Sequence, residues 1–351
     1  MSPSPLQPHL VTDEASLTAL TARLRGEPRV ALDTEAASFH RYIDRVYLVQ
    51  VSSDRETALV DPLALEDLGP IGALLSDPGS EVIFHEADYD LRILHRDYGF
   101  EARNIWDTRI AAHLAGEPAV GLGSLLEKYF GVRLRKDLQR ADWSQRPLSD
   151  EMIAYAAADT AYLPDLRDAL AAELRQLRRL HWAEEEFLRL EGLRWSSRAP
   201  PGQEFFSLKG AKALHPPQLA ILRALWQWRD ARAQELDRAP FRVLANDLLV
   251  SLARAAPETA AALEAVPGMS ARVARRHGPA LLEAVRAGRS SPARSWPRFE
   301  RRPRERPDAS VEARLARLKA LRSERAAAIG LDPGLVCPNA VLSGIARAAP
   351  S

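Results

Sequence analysis

Apolar and polar positions follow two different rhythms along this chain, and the change of rhythm divides it. Up to about residue 175, short runs rich in Val, Ile, Leu and Tyr predict strands at 30–35, 46–52, 58–61 and 82–85. Turn-like breaks at 40–45 and 53–56 make the first three of these an antiparallel meander. Helical spacing of apolar residues then predicts helices at 88–98, 108–115 and 122–130, and one long helix from Asp150. Mixed strands followed by helices predict an α/β layered domain over residues 10–175.

From residue 180 onward the pattern is helical throughout. A connecting helix and linker are expected over 176–211, with Ser196-Ser-Arg-Ala-Pro-Pro201 as the linker proper. Helices are predicted at 217–236, 246–255, 259–266 and 271–286, forming an all-α domain over 212–288. The stretch 288–308 interleaves Arg289, Arg294, Arg298, Arg301, Arg302, Arg304 and Arg306 with Pro292, Pro297, Pro303 and Pro307, and reads as an extended basic linker unable to bury a core. Across it lies an internal repeat: the segment from Asn246 to Pro257 matches that from Asn339 to Pro350 without a gap, and the register extends back to pair Leu225 with Leu318, Arg229 with Arg322 and Pro240 with Pro333. The second copy, over 310–351, holds only the first half of the unit. Its apolar face must find another surface or remain partly disordered.

Composition narrows the classes without choosing among them. The net charge of +1, from 48 basic and 47 acidic residues, does not by itself announce a nucleic-acid binder. The single cysteine, Cys337, excludes an internal disulfide framework and fits a reducing, cytoplasmic setting. The N-terminal Met-Ser-Pro-Ser-Pro does not read as a secretory signal, and no apolar run approaches the roughly 18 residues that span a bilayer. No membrane partner is expected, and a monomer is favoured.

Chemistry enters with four acids in apolar surroundings. Asp33 and Glu35 sit at i and i+2 of the first strand and project from one face, while Thr34 points away. Asp90 falls just inside a helix that follows a strand. Tyr155 and Asp159, at i and i+4, share a helix face. A carboxylate in an apolar element needs a compensating cation, and only Arg29 and Arg92 lie in these stretches. The missing charge is read as metal. An all-oxygen donor set suits Mg²⁺ or Mn²⁺, which bind through a few carboxylates plus substrate phosphate. Two such ions would clamp the attacking and leaving oxygens of a phosphodiester, with Tyr155 orienting the water rather than acting as a base. Each motif alone has a structural explanation; the ordered set carries the weight.

That ordered set resembles the DEDD superfamily of 3′–5′ exonucleases, in the subclass with tyrosine in its third motif, and within it the ribonuclease D family. The resemblance extends through Ala31-Leu-Asp-Thr-Glu35, Val46-Tyr-Leu-Val-Gln-Val51, Leu59-Val-Asp-Pro62, Phe84-His85, Asp90-Leu91, Trp106-Asp-Thr108, Asp142-Trp-Ser-Gln-Arg-Pro147 and Tyr155-Ala-Ala-Ala-Asp159. It implies a ribonuclease-H-like fold (a mixed sheet flanked by helices), two divalent ions and release of nucleoside 5′-monophosphates from an RNA 3′ end. Carried over residue by residue, Asp33, Glu35, Asp90 and Asp159 become metal ligands, direct or through water, and Tyr155 orients the nucleophile. The spacing from His85 selects Asp90 over Asp88. Many relatives place Phe directly after Asp-Thr-Glu; here Ala36-Ala-Ser-Phe39 follows, so Phe39 is the candidate aromatic wall for the terminal base. His85 is read as packed beside the site, in reach of substrate. Asp107 ahead of Thr108 is read as a helix N-cap rather than a ligand.

Residues 212–288 resemble the HRDC domain, through His215-Pro-Pro-Gln-Leu-Ala220, Pro240-Phe-Arg-Val-Leu-Ala-Asn-Asp-Leu-Leu249 and Leu263-Glu-Ala-Val-Pro-Gly268. Residues 310–351 then resemble half of a second copy. Gly268 precedes a helix carrying Arg272, Arg275 and Arg276, and a glycine turn before a basic helix offers N–H groups and charge to phosphate. The combined expectation is a metal-dependent exoribonuclease acting on structured RNA 3′ ends, with tRNA precursors the implied substrate class. A DNA exonuclease and a catalytically silent nucleic-acid-binding protein are the alternatives. A helicase is disfavoured, since the chain has no Gly-x-x-x-x-Gly-Lys-Ser/Thr phosphate loop.

Overall fold

A six-stranded mixed sheet carries the N-terminal half of the chain. The computed structural model describes residues 7–135, 137–196, 202–299 and 308–348. In chain order the elements are β1 (His9–Val11), α1 (Glu14–Leu24), β2 (Arg29–Ala36), β3 (Val46–Ser52), β4 (Thr57–Val60), α2 (Gly69–Leu75), β5 (Glu81–Phe84), α3 (Asp88–Tyr98) and β6 (Ile105–Asp107). Helices α4 (Thr108–Ala115), α5 (Leu122–Phe130), α6 (Asp150–Ala161), α7 (Leu163–Gln176) and α8 (Leu180–Leu190) complete this half. The strand order is β1-β4-β3-β2-β5-β6. Strands β2, β3 and β4 form the expected antiparallel meander, while β1, β5 and β6 join in parallel through helical crossovers.

Period-two alternation on β2 sorts its side chains between two helical layers. Val30 and Leu32 enter a core with Leu17, Ile71 and Leu94 from α1, α2 and α3. Ala31 faces the other way, into a core with Trp106, Leu125, Leu166 and Leu170. Asp33 and Glu35 continue the Ala31 face and Thr34 the Leu32 face. Helix α6 lies along β3 and β4, pinned where Thr160 Oγ1 meets Ser52 Oγ at 2.7 Å.

Three expectations need revision. The long helix from Asp150 is two helices, broken at Tyr162, because Pro164 supplies no amide donor and opens α7 instead. Strands β1 and β6, at three residues each, were too short to register as a periodic pattern. The Pro/Arg stretch is not uniformly extended: its first part belongs to the helical core described next.

The described residues form two compact units. The second takes Ala37–Asp44 together with α9 (Pro216–Glu235), α10 (Pro240–Val243), α11 (Asn246–Ala255), α12 (Ala260–Glu264) and α13 (Ala271–Arg289). Helix α13 runs on through Gly288, whose missing Cβ lets it lie directly against the backbone of Ile221 on α9. Beyond it, Trp296 Nε1 donates to Ser291 O at 2.9 Å, and Phe299 packs on Phe206 with ring centroids 4.6 Å apart. Aromatic burial therefore overrides the linker composition up to Phe299; Arg301, Arg302, Arg304 and Arg306 lie outside the described residues, as do 197–201 of the first linker.

The repeat is structural as well as sequential. Helices α14 (Ala309–Ile329), α15 (Pro333–Val336) and α16 (Asn339–Ala348) reproduce α9, α10 and α11 in register. In the first copy Arg229 Nη1 donates to Leu244 O and Asn246 Oδ1; in the second Arg322 Nη1 donates to Cys337 O and Asn339 Oδ1. Such an arginine closes the end of a helical hairpin by satisfying a carbonyl that the following turn leaves open. The half unit finds the surface it requires within the first unit: Leu331 packs on the Trp106 core, and Arg179 donates to both Leu114 O and Ile329 O.

Candidate metal centre

Asp33, Glu35 and Asp159 each place a carboxylate oxygen so that all three lie within 4.8 Å of one another. Strand β2 supplies the first two from its Ala31 face, and α6 delivers Asp159 from above that face. The three line a cavity of about 400 Å³ together with Tyr155, His85 and Arg109. Burial raises the pKa of Asp33, Glu35 and Asp159 above the usual carboxylate range, and mutual repulsion adds to it at Asp33 and Glu35.

Neither arginine of these segments relieves that charge. Arg29 pairs with Asp54 and Asp168, and Arg92 with Asp88. Gln50, opposite Asp33 across the β2–β3 pair, is fully buried, and neither polar atom of its amide meets a protein partner. A buried amide with unused donors and an unused acceptor, paired across the sheet with Asp33, fits the water shell of a hydrated cation. Hard oxygen donors, high negative charge and room for water fit a divalent ion of the Mg²⁺ type.

Asp90 reaches the strand from the opposite layer. It is only 5% exposed on α3, and its Oδ1 accepts from Thr34 Oγ1 at 2.5 Å. Burial raises its pKa, followed by the charge of Asp33, so it senses the cluster without joining the three-carboxylate set. Asp88, the alternative by spacing, is exposed and engaged with Arg92 at 2.9 Å. The residue that sequence reasoning missed is Thr34: pointing away from Asp33 and Glu35 is what brings it to Asp90.

Tyr155 hydrogen-bonds Asp159, and burial with three nearby carboxylates lifts its pKa far above that of free tyrosine, so it stays a neutral hydroxyl. Its ring packs on Trp143 at 5.9 Å. Trp143 is in turn held through Arg146, whose guanidinium binds Asp61 at 2.5 and 2.7 Å, Trp143 O at 2.8 Å and Tyr47 O at 2.7 Å. Two motifs distant in sequence thus brace the tyrosine.

His85 lines the cavity as a neutral ring. Burial, with Arg109 nearby, lowers its pKa to about 4. Thr108 Oγ1 gives its single proton to Phe84 O at 3.0 Å and so accepts from His85 Nδ1 at 2.8 Å. That fixes the tautomer and leaves Nε2, which has no protein partner, as an acceptor. Asp107 caps α4 as expected, accepting from Arg109 N and Ile110 N. It also accepts from Glu86 N and Ala87 N, holding the turn before α3 in which Glu86 adopts φ 71°. Of the remaining candidates, Phe39 meets Phe241 in the second unit, and Arg272, Arg275 and Arg276 are exposed on α13 behind the Ser270 cap.

No helix among the described residues is long and apolar enough to cross a membrane. The 3′–5′ exonuclease family model matches residues 8–175 and the HRDC domain model residues 218–285. The ribonuclease D of Gluconacetobacter diazotrophicus is 34% identical over 297 residues, covering 84% of this chain and 75% of the relative. That of Pseudomonas paraeruginosa is 31% identical over 338 residues, covering 96% and 89%. The crystal structure of Escherichia coli RNase D, described as an exoribonuclease involved in structured RNA processing, is similar at a TM-score of 0.72 and 28% identity, covering 97% of this chain and 92% of that one. With its exonuclease and HRDC domains matched and ribonuclease D relatives similar along most of the chain, this protein belongs to the ribonuclease D family of metal-dependent 3′–5′ exoribonucleases.

Proposed function

We propose that the chain trims the 3′ ends of structured RNAs such as tRNA precursors in the cytoplasm, as a monomer, releasing nucleoside 5′-monophosphates with two Mg²⁺ or Mn²⁺ ions. The observation that carries the reading is the close set of Asp33, Glu35 and Asp159 in a cavity shared with a neutral tyrosine. The bound ions would supply the activated water and the charge to stabilise the leaving 3′ oxygen. Asp33, Glu35 and Asp159 hold them, with Asp90 a further ligand, directly or through water. Tyr155, unable to deprotonate near neutral pH, directs the attacking water by hydrogen bonding. His85 Nε2 accepts a hydrogen bond from substrate, while Arg109 and the exposed Arg272, Arg275 and Arg276 offer cations to phosphate.

A 3′-labelled RNA and its DNA counterpart, incubated with Mg²⁺, Mn²⁺ or EDTA, test this directly. Stepwise mononucleotide release from RNA in either metal, and none in EDTA, is expected. Preferential degradation of the DNA would replace the RNA reading, and inertness in every metal would defeat it.

Thr34 provides a finer test of the Asp90 role. Thr34→Val keeps the shape but removes the hydroxyl, leaving the buried carboxylate with backbone donors alone. A loss of about 10–100-fold in rate is expected, the scale of outer-shell partners. The half-activating Mg²⁺ concentration should rise with it, and Thr34→Ser should restore both. A Thr34→Val enzyme with an unaltered metal titration would remove Asp90 from the site.

A further inference from the structure

Residues 37–44 run on from the strand bearing Asp33 and Glu35 and fold into the helical unit, where a clamp holds them. Tyr42 donates through its hydroxyl to Asp230 at 3.0 Å and through its amide to Asp237 Oδ1 at 3.3 Å. Arg41 Nη1 donates to Asp237 Oδ2 at 3.0 Å, and Ala239 N donates to His40 O at 3.3 Å. This clamp sets Phe39 edge-on against Phe241, with ring centroids 6.0 Å apart and planes at 79°. Both rings stay open to solvent, at 41% and 44% exposure. Arg238 and Arg242, on either side of Phe241 in the chain, are exposed as well.

The internal repeat shows that the helical scaffold does not require these residues. With Pro240 aligned to Pro333, the second copy has Gly334 and Leu335 where the first has Phe241 and Arg242, and Leu331 in place of Arg238. The clamp acids are exchanged too, Asp230 for Ser323 and Asp237 for Gly330. Yet the second copy keeps the same helices and the same arginine bridge from Arg322. Two solvent-open aromatics, held by a dedicated clamp and flanked by arginines, therefore answer to something other than folding.

We infer that Phe39 and Phe241, with Arg238 and Arg242, form a stacking platform for the single-stranded 3′ tail of the RNA substrate. Single strands without fixed sequence are bound in this way, bases against aromatic faces and phosphates against cations. The chain itself links platform and cluster, since only Ala36, Ala37 and Ser38 lie between Glu35 and Phe39, four residue steps or at most about 14 Å of extended backbone. The inference rests on the RNA-trimming reading and deepens it by naming how the tail is gripped.

The test uses the full chain in EDTA, so that binding is measured without cleavage, and an RNA hairpin with a single-stranded 3′ tail carrying 2-aminopurine at successive positions. Quenching of the fluorophore at one or two tail positions is expected on binding. Phe241→Ala should abolish that quenching and raise Kd roughly 10-fold, and Phe39→Ala should do the same. Phe241→Trp should restore both, which a purely structural role would not allow. Arg238→Gln with Arg242→Gln should reduce the slope of log Kd against log salt by about one to two. An unchanged Kd and unchanged quenching in Phe241→Ala overturn the platform. Because the readout needs no cleavage, failure of the trimming reading shows separately, as wild-type protein inert toward RNA in Mg²⁺ and Mn²⁺.

Discussion

Replacing Asp33 by Asn is expected to lower the RNA-trimming rate by about 10²–10³-fold, the scale on which electrostatic elements of a reaction site act. The same substitution should make the metal-free protein more stable, not less. Asp33 lies close to Glu35 and Asp159, and the arginines nearby are engaged elsewhere, Arg29 with Asp54 and Asp168, Arg92 with Asp88, Arg109 with Glu86 and Arg135 with Asp137, so its ionised form repels both neighbours in the folded state and neither in the unfolded chain. Asn keeps the volume and removes the repulsion. Asp159→Asn and Glu35→Gln should behave alike. Asp88→Asn should not: that carboxylate is exposed and bound to Arg92 in an i,i+4 pair, worth roughly 0.3–0.5 kcal/mol. Rates on 3′-labelled RNA and thermal melts in EDTA report the two effects independently. A variant with lost activity and an unchanged or lower melting temperature would mean that Asp33 is held by a partner other than metal.

Much of this centre is legible in the sequence because its first elements are local. The alternation of β2 is enough to place Asp33 and Glu35 on one face, and helical spacing is enough to place Tyr155 over Asp159. The limits have physical causes. Thr34 looks irrelevant on its own strand, since its value lies in a hydrogen bond to Asp90, 56 residues away. Arg146 looks like part of a loop motif until its guanidinium is seen joining Asp61, Tyr47 and Trp143. The tautomer of His85 depends on where the Thr108 proton goes, which no spacing encodes. Composition misled in the Pro/Arg stretch, where the close approach of Gly288 to Ile221 and the packing of Phe299 carry the helical core further than proline content implies.

The repeat adds a lesson that neither copy gives alone. Sequence comparison between the copies shows what the scaffold needs: Pro240 and Pro333 opening the short helix, Arg229 and Arg322 closing the hairpin. What differs is then free of that constraint. In the second copy Leu331 serves packing, on the Trp106 core, where the first copy presents Arg238 to solvent. A single fold has been turned toward docking in one copy and toward an aromatic, basic surface in the other.

The metal itself should appear as pH-dependent stability. Burial first, and then the Asp159 charge, lift Asp33 to about 8, while burial lifts Asp159 to about 7. Between the ordinary carboxylate range near pH 4 and these raised values, the folded metal-free protein retains protons that the unfolded chain has released. Its stability therefore falls as pH rises through that window. Divalent ions bind the deprotonated carboxylates and so compete with those protons. At pH 5.5 added Mg²⁺ should shift the melting temperature little; at pH 8.5, saturating Mg²⁺ at about 100 times Kd contributes roughly 2.7 kcal/mol. For a chain of 351 residues that is a rise of about 4 °C. Asp33→Asn should remove most of both effects, flattening the metal-free pH profile and the Mg²⁺ shift together. Melts across pH with EDTA or Mg²⁺ make the comparison, and equal Mg²⁺ shifts at pH 5.5 and 8.5 would show that the ion binds somewhere other than the protonated cluster.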